Sequence, residues 1–120
     1  MGTRSLTRVY NENSQALFNL YRQYDGYPSG HGSQLFEFLK GKVANGAGCL
    51  AAQLIAYFKT GTGGFYLEPI GARDCGQEYE YEIHVNVADV YCKVIECGSR
   101  RKTLFEGDVA DFGEFCSKED

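Results

Sequence analysis

The densest recognition chemistry in the chain lies in Tyr21-Arg22-Gln23-Tyr24-Asp25-Gly26-Tyr27-Pro28-Ser29-Gly30-His31-Gly32. Twelve residues there hold an arginine, an aspartate, a histidine, three tyrosines and three glycines. Glycines let backbone N–H groups come close to a ligand, and tyrosine rings stack on planar groups. A guanidinium pairs with phosphate or carboxylate, and a helix starting near Ser33 would add the positive end of its dipole. Arg22, Tyr24, Asp25, Tyr27 and His31 therefore form a candidate cradle for a small anionic, nucleotide-like molecule. Arg22 would pair with phosphate, the tyrosines would stack, and Asp25 would orient the arginine or accept from a ribose hydroxyl. The same residues admit a purely structural reading. Arg22 continues the inward face of Phe18 and Leu20, an inward arginine needs a partner, and Asp25 is the nearest acid, so an Arg22–Asp25 pair would buckle a long turn.

Two other stretches carry polar or small residues in suggestive order. In Gly71-Ala72-Arg73-Asp74-Cys75-Gly76, Arg73 and Asp74 are secondary candidates for the same site if the turn faces the first loop; otherwise they are solvated. Asn45-Gly46-Ala47-Gly48-Cys49 is GxG and nothing more. It lacks the third glycine and preceding strand of a dinucleotide fingerprint, and there is no Walker lysine. Its small residues are equally suited to close packing of a buried helix. Cys49 near that helix's start, with His31 folding over it, would make a Cys–His nucleophile pair, a generic arrangement for a hydrolase or transferase. His84 sits between Glu82 and Asn86 on a polar strand face and reads as an exposed surface residue. Glu80 and Glu82 share that face with nothing to perturb a carboxyl pKa. Arg100-Arg101-Lys102 reads as a solvated basic turn.

The elements that must position these groups follow from periodicity. Residues 4–10 and 15–24 read as two strands joined by the turn Asn11-Glu12-Asn13-Ser14. The glycine-rich loop follows, then a helix with Ser33 as N-cap, a stripe of Leu35, Phe36 and Leu39, and Gly41 beyond its end. A second helix spans about Gly46 to Thr60, capped by Asn45 and ended by Gly61, with Leu50, Leu54, Ile55 and Phe58 inward. Phe65-Tyr66-Leu67 is a short strand. Residues 78–87 alternate, with Tyr79, Tyr81, Ile83, Val85 and Val87 on one face and Glu80, Glu82, His84 and Asn86 on a wet one. A turn near Ala88-Asp89 leads to a strand through Val90, Cys92 and Val94. Gly98-Ser99-Arg100 turns into a strand at Lys102–Phe105, and Asp108 caps a last short helix burying Val109, Phe112 and Phe115. This order gives an α+β fold in one domain, 1–120: a largely antiparallel sheet of about six strands, two helices packed on one side and a short C-terminal helix.

Length and charge narrow the classes further. The chain has 120 residues and a formal charge of −4, with 43% hydrophobic and 23% charged residues, so it is globular rather than disordered. Residues 1–60 carry six basic and three acidic groups; residues 61–120 carry six and thirteen. No basic stripe for duplex nucleic acid is present, and no apolar run approaches the roughly 18 residues of a membrane span. The acidic end, Glu106 to Asp120, is either a solvated face or a surface for a basic protein partner. Cys49, Cys75, Cys92, Cys97 and Cys116 form no CxxC pair, and the spacing of Cys92 and Cys97 puts them on opposite faces of a strand, against a structural metal. No cofactor is implied. The first residues contain no apolar signal-peptide core, so reduced thiols in the cytoplasm are the expectation.

The opening Gly2-Thr3-Arg4-Ser5-Leu6-Thr7, the Tyr21–Gly32 segment and Asn45-Gly46-Ala47-Gly48-Cys49-Leu50-Ala51-Ala52-Gln53-Leu54 resemble a group of small uncharacterised bacteriophage and bacterial proteins. Gly63-Gly64-Phe65-Tyr66-Leu67 and Arg73-Asp74-Cys75-Gly76 belong to the same pattern, which covers roughly residues 2–80. The resemblance brings no catalytic role with it. It implies phage or prophage origin, a bacterial cytoplasmic setting, and action by binding without turnover, such as sequestering a signalling nucleotide or engaging a host protein. The sequence thus points first to a non-enzymatic binder of an anionic ligand. An interaction protein using the acidic C-terminal helix comes second and a Cys49–His31 enzyme third. Open sheet edges also leave room for a homodimer.

Overall fold

A computed structural model describes residues 2–42, 45–86 and 89–118. Among these residues six strands form one sheet: β1 Ser5–Tyr10, β2 Ala16–Arg22, β3 Phe65–Leu67, β4 Tyr79–Asn86, β5 Asp89–Cys97 and β6 Arg101–Asp108. Their spatial order is β3-β2-β1-β4-β5-β6. All neighbours are antiparallel except β1 and β4, which run parallel, with Leu6 opposite Glu80 and Arg8 opposite Glu82. The helices are α1 Ser33–Leu39, α2 Ala47–Phe58 and α3 Val109–Lys118. Val87 and the turn placed near Ala88 lie outside the described residues, as do Glu119 and Asp120.

Alternation along the strands fixes two faces. One carries Thr7, Val9, Phe18, Leu20, Arg22, Tyr81, Ile83, Val85, Cys92 and Val94. It is covered by α2, through Leu50, Ala51, Leu54 and Phe58, by α1, through Leu35, Phe38 and Leu39, and by α3, through Phe112 and Cys116. Each large side chain buried there contributes roughly 1.5–3 kcal/mol relative to exposure. The α+β architecture read from the sequence is therefore present, with α3 on the same side as α1 and α2.

Local signals explain most boundaries. Asp108 does cap α3, its Oδ1 accepting the Asp111 N–H at 2.9 Å. Asn45 and Ser33 cap nothing: α2 is preceded by Gly46 at φ +87°, and Ser33 already lies inside helical backbone. The stretch Pro28–Gly32, expected as open loop, is a single wide π-type turn running straight into α1. Proline at its first position, where a missing N–H costs nothing, starts the turn.

The second face departs most from expectation. Glu80, placed on a wet surface by its alternation, is only 1% exposed. The segment 68–77 folds over this part of the sheet, held by Asn19, whose Nδ2 donates to the Pro69 and Ala72 carbonyls at 3.2 and 3.1 Å. Arg8 adds a bond to the Ala72 carbonyl at 3.2 Å and pairs with Glu80 at 3.0 Å. Arg101, expected in a solvated triplet, reaches back to hold both Glu80 oxygens at 2.7 and 2.9 Å. Burial pushes the Glu80 carboxyl up, but hydrogen bonds from Arg101, Gln77 and Arg8 outweigh it and hold the group at about 2.

Candidate functional site

Arg22 ends β2, with Ser5 of β1 opposite on one side and Phe65 of β3 on the other. The face it inherits from Phe18 and Leu20 drives it under the helices, where it is 5% exposed. Its Nη1 donates to Gln34 Oε1 at 2.7 Å and to His31 Nδ1 at 3.1 Å. Its Nε, like that of the buried Arg8, has no hydrogen-bond partner among the described residues. The guanidinium lies 4.9 Å from the centre of the Phe65 ring and 5.8 Å from that of Tyr24. Burial lowers its pKa, opposed by attraction from Asp25 and nearby tyrosines. No carboxylate lies within 4 Å of it among the described residues, so the expected Arg22–Asp25 ion pair does not form.

Asp25 works through its backbone instead. It takes a left-handed conformation, φ +58°, which aspartate tolerates better than most residues. Its carbonyl accepts the His31 N–H at 2.8 Å. Its carboxylate is exposed and lies 3.4 Å from the Tyr27 hydroxyl. The loop is further tied to the sheet by Gly26, whose N–H donates to Thr3 O at 2.8 Å and whose carbonyl accepts the Tyr81 hydroxyl at 2.7 Å. Gly30 has no room for a side chain, since a Cβ would sit 2.7 Å from the Asp25 carbonyl oxygen.

His31 is fully buried between the Phe58 and Tyr81 rings, at 4.8 and 4.9 Å. Arginine can only donate, so Nδ1 is the acceptor and the proton sits on Nε2, which donates to Thr7 Oγ1 at 2.7 Å. Burial, then the Arg22 charge, lower its pKa to about 3. The imidazole is thus a neutral spacer between Arg22 and β1. It has no free nitrogen to act as a base.

Beside this cluster lies a depression of about 120 Å³ lined by Tyr24, Phe58, Thr60, Gly61, Thr62, Gly63 and Phe65. Tyr24 and Phe65, which flank the guanidinium, form its walls. The structure therefore brings together Arg22, Tyr24, Asp25, Tyr27 and His31, and adds Gln34, Phe58 and Phe65, which sequence reasoning missed. Gln34 was readable as the second residue of the helix facing Arg22; Phe65 was not, because its pairing with Arg22 is set by the register of β3. The helix start contributes no anion site, since the Ser33 N–H already bonds the Gly30 and Pro28 carbonyls.

Arg73 and Asp74 are not part of this cluster. They lie in the segment covering the opposite sheet face, where the Arg73 carbonyl accepts from Gln77 at 2.8 Å and Asp74 Oδ1 accepts the Gly76 N–H at 3.1 Å. Cys49 and His31 do not meet either. Cys49 opens α2 beside Gln53, whereas His31 packs on Phe58 at the far end, nine residues or about 13 Å along the axis. Cys92 and Cys97 do fall on opposite faces: burial pushes both thiols up, to about 12 and about 11. Among the described residues no three His, Cys, Asp or Glu side chains converge as a metal group, and no helix is long and apolar enough to cross a membrane.

A larger concavity, about 510 Å³, opens on the second face between Glu82, His84, Asn86, Asp89, Tyr91, Lys93 and Glu106. His84 there is not a free surface residue: it stacks on Tyr10 at 4.5 Å and bonds Glu82 Oε1 at 3.0 Å. Three carboxylates against one lysine make this concavity unsuited to an anion. No protein-family model matches the chain, and comparison with curated proteins and with solved structures likewise found no match.

Proposed function

We propose that the chain is a non-enzymatic binding protein that captures a small anionic, nucleotide-like ligand at the end of the sheet occupied by Arg22. One observation carries this reading: an arginine only 5% exposed whose hydrogen-bond partners, His31 and Gln34, are both neutral, with no carboxylate within 4 Å among the described residues. A buried charge is ordinarily paired, and here Asp25 attracts only from beyond ion-pair distance while the groups in contact supply dipoles and ring faces but no counter-charge. A phosphate or carboxylate arriving beside Tyr24 and Phe65 would supply it. The Tyr24 and Phe65 rings lining the depression favour a planar partner such as a nucleobase. The engagement of His31 at both nitrogens, and its distance from Cys49, favour binding over covalent chemistry.

The resemblance to small phage and bacterial proteins supports a sequestering role in the bacterial cytoplasm. Isothermal titration against cyclic and linear nucleotides is the test. Binding tighter than about 100 μM, roughly −5.5 kcal/mol, is expected for at least one of them. Tyr24→Ala, a change at a half-exposed ring, is expected to weaken it about tenfold without affecting the fold. Absence of binding across the panel at that level rejects the reading.

A further inference from the structure

The two edges of the sheet are built differently. The β3 edge has three residues, and the Lys59 ammonium bonds the Phe65 and Gly63 carbonyls at 2.8 and 3.1 Å, covering backbone acceptors there. Short edge strands and lysines placed on them are the usual means of preventing strand addition. The β6 edge has eight residues, Arg101–Asp108, paired with β5 on one side only. Beside it Leu104, Phe105, Val109 and Phe115 are only partly buried, with the Phe105 and Phe115 rings stacked at 5.3 Å.

From the order of charges and faces along this strand we infer that β6 pairs antiparallel with β6 of a second copy of the chain, making one continuous sheet across a twofold axis. The strand reads basic, apolar, acidic: Arg101 and Lys102, then Thr103, Leu104 and Phe105, then Glu106 and Asp108. Reversed against itself it brings the basic end of one copy beside the acidic end of the other, with Arg101 also holding Glu80 of its own chain and Lys102 opposite Gly107. Side-chain direction agrees. The β5 register skips at Leu104, so Arg101, Thr103, Glu106 and Asp108 share the second face, while Lys102, Phe105 and Gly107 share the helix face. Pairing Arg101 with Asp108, Lys102 with Gly107 and Thr103 with Glu106 of the other copy then puts these three pairs on common faces and brings Leu104 opposite Phe105 at the axis. In this register a regular eight-residue strand would fail the requirement, because residues an odd number apart point to opposite sides. The irregularity at Leu104, which in isolation blunts an edge, is what lets Arg101 meet Asp108 and Thr103 meet Glu106 on common faces.

The pairing covers the half-buried apolar flank and satisfies the free backbone groups of β6. It does not involve Arg22, so it stands or falls independently of ligand capture. Sedimentation or light scattering on the full chain at 1–100 μM tests it, with an expected mass of twice 13.4 kDa. Thr103 is exposed and sits opposite Glu106 of the second copy in this register. Thr103→Glu sets like charges together twice per dimer and is expected to weaken association roughly five- to tenfold; Thr103→Lys is expected to strengthen it. Leu104→Lys, at the centre, is expected to give a monomer with unchanged circular dichroism, and Leu67→Lys on the β3 edge to leave the dimer intact. A monomeric mass at 100 μM overturns the inference. So does a dimer indifferent to the sign of the charge at position 103, or one that Leu67→Lys dissociates.

Discussion

Arg8 and Arg22 are both buried, at 2% and 5% exposure, yet their charges are answered in opposite ways. Arg8 meets the Glu80 carboxylate at 3.0 Å, and Arg101 and Gln77 complete the carboxylate's remaining bonds. Arg22 meets an imidazole and an amide. Removing one member of a buried ion pair leaves the other uncompensated and costs about 3–5 kcal/mol, whereas replacing a buried cation that has no counter-ion removes a desolvation cost along with its hydrogen bonds. Arg8→Met is therefore expected to lose about 3 kcal/mol or more in urea unfolding, and Arg22→Met to stay within about 1.5 kcal/mol of the parent. Equal losses would mean that the Arg22 environment stabilises its charge as fully as Glu80 does that of Arg8. The want of a carboxylate beside Arg22 would then have no bearing on a ligand.

At the level of elements, the legible parts were those coded locally. The alternation of Tyr79, Tyr81, Ile83 and Val85 announces β4, Leu50, Leu54 and Phe58 announce α2, and Asp108 announces the start of α3. The Asp108 cap is checked by Asp108→Ala, expected to cost about 1 kcal/mol and to lower the melting temperature by a few degrees; an unchanged midpoint would show that water replaces the bond at no cost. Ser33 carried the same kind of signal and failed, because Pro28 had already begun helical backbone one turn earlier. The cover over Glu80 could not be read at all. It depends on Arg8 and Asn19 meeting residues 50 to 72 positions away, and alternation alone reports a polar face without saying whether water or another segment lies on it. For the site, the inward direction of Arg22 was legible from Phe18 and Leu20. Its partners were not, since aspartate was expected to use its carboxylate and used its carbonyl.

Across the whole molecule, the two buried polar clusters grip opposite faces of the same central strand: Thr7 of β1 takes His31 on the helix side, and Arg8 takes Glu80 on the other. Acid acts on them in succession. His31 is held neutral down to about 3, against 6.5 for a free imidazole, so the unfolded chain takes up a proton that the folded one refuses. Stability present above 6.5 is lost as pH falls from there toward 3, by up to about 1.4 kcal/mol per pH unit. Glu80, held at about 2 against 4.5, adds its loss only as pH falls below 4.5. Because both act on β1, unfolding is expected to remain one cooperative transition, with a decline that begins near pH 6.5 and steepens below 4.5. His31→Gln, which keeps hydrogen-bonding capacity without a titrating ring, is expected to flatten the stability profile between pH 6.5 and 4.5 and to leave the steeper limb in place. Urea midpoints measured at half-unit pH intervals separate the two windows. If the variant declines across the upper window as the parent does, the proton uptake there belongs to another group and His31 does not couple the helix face to acid.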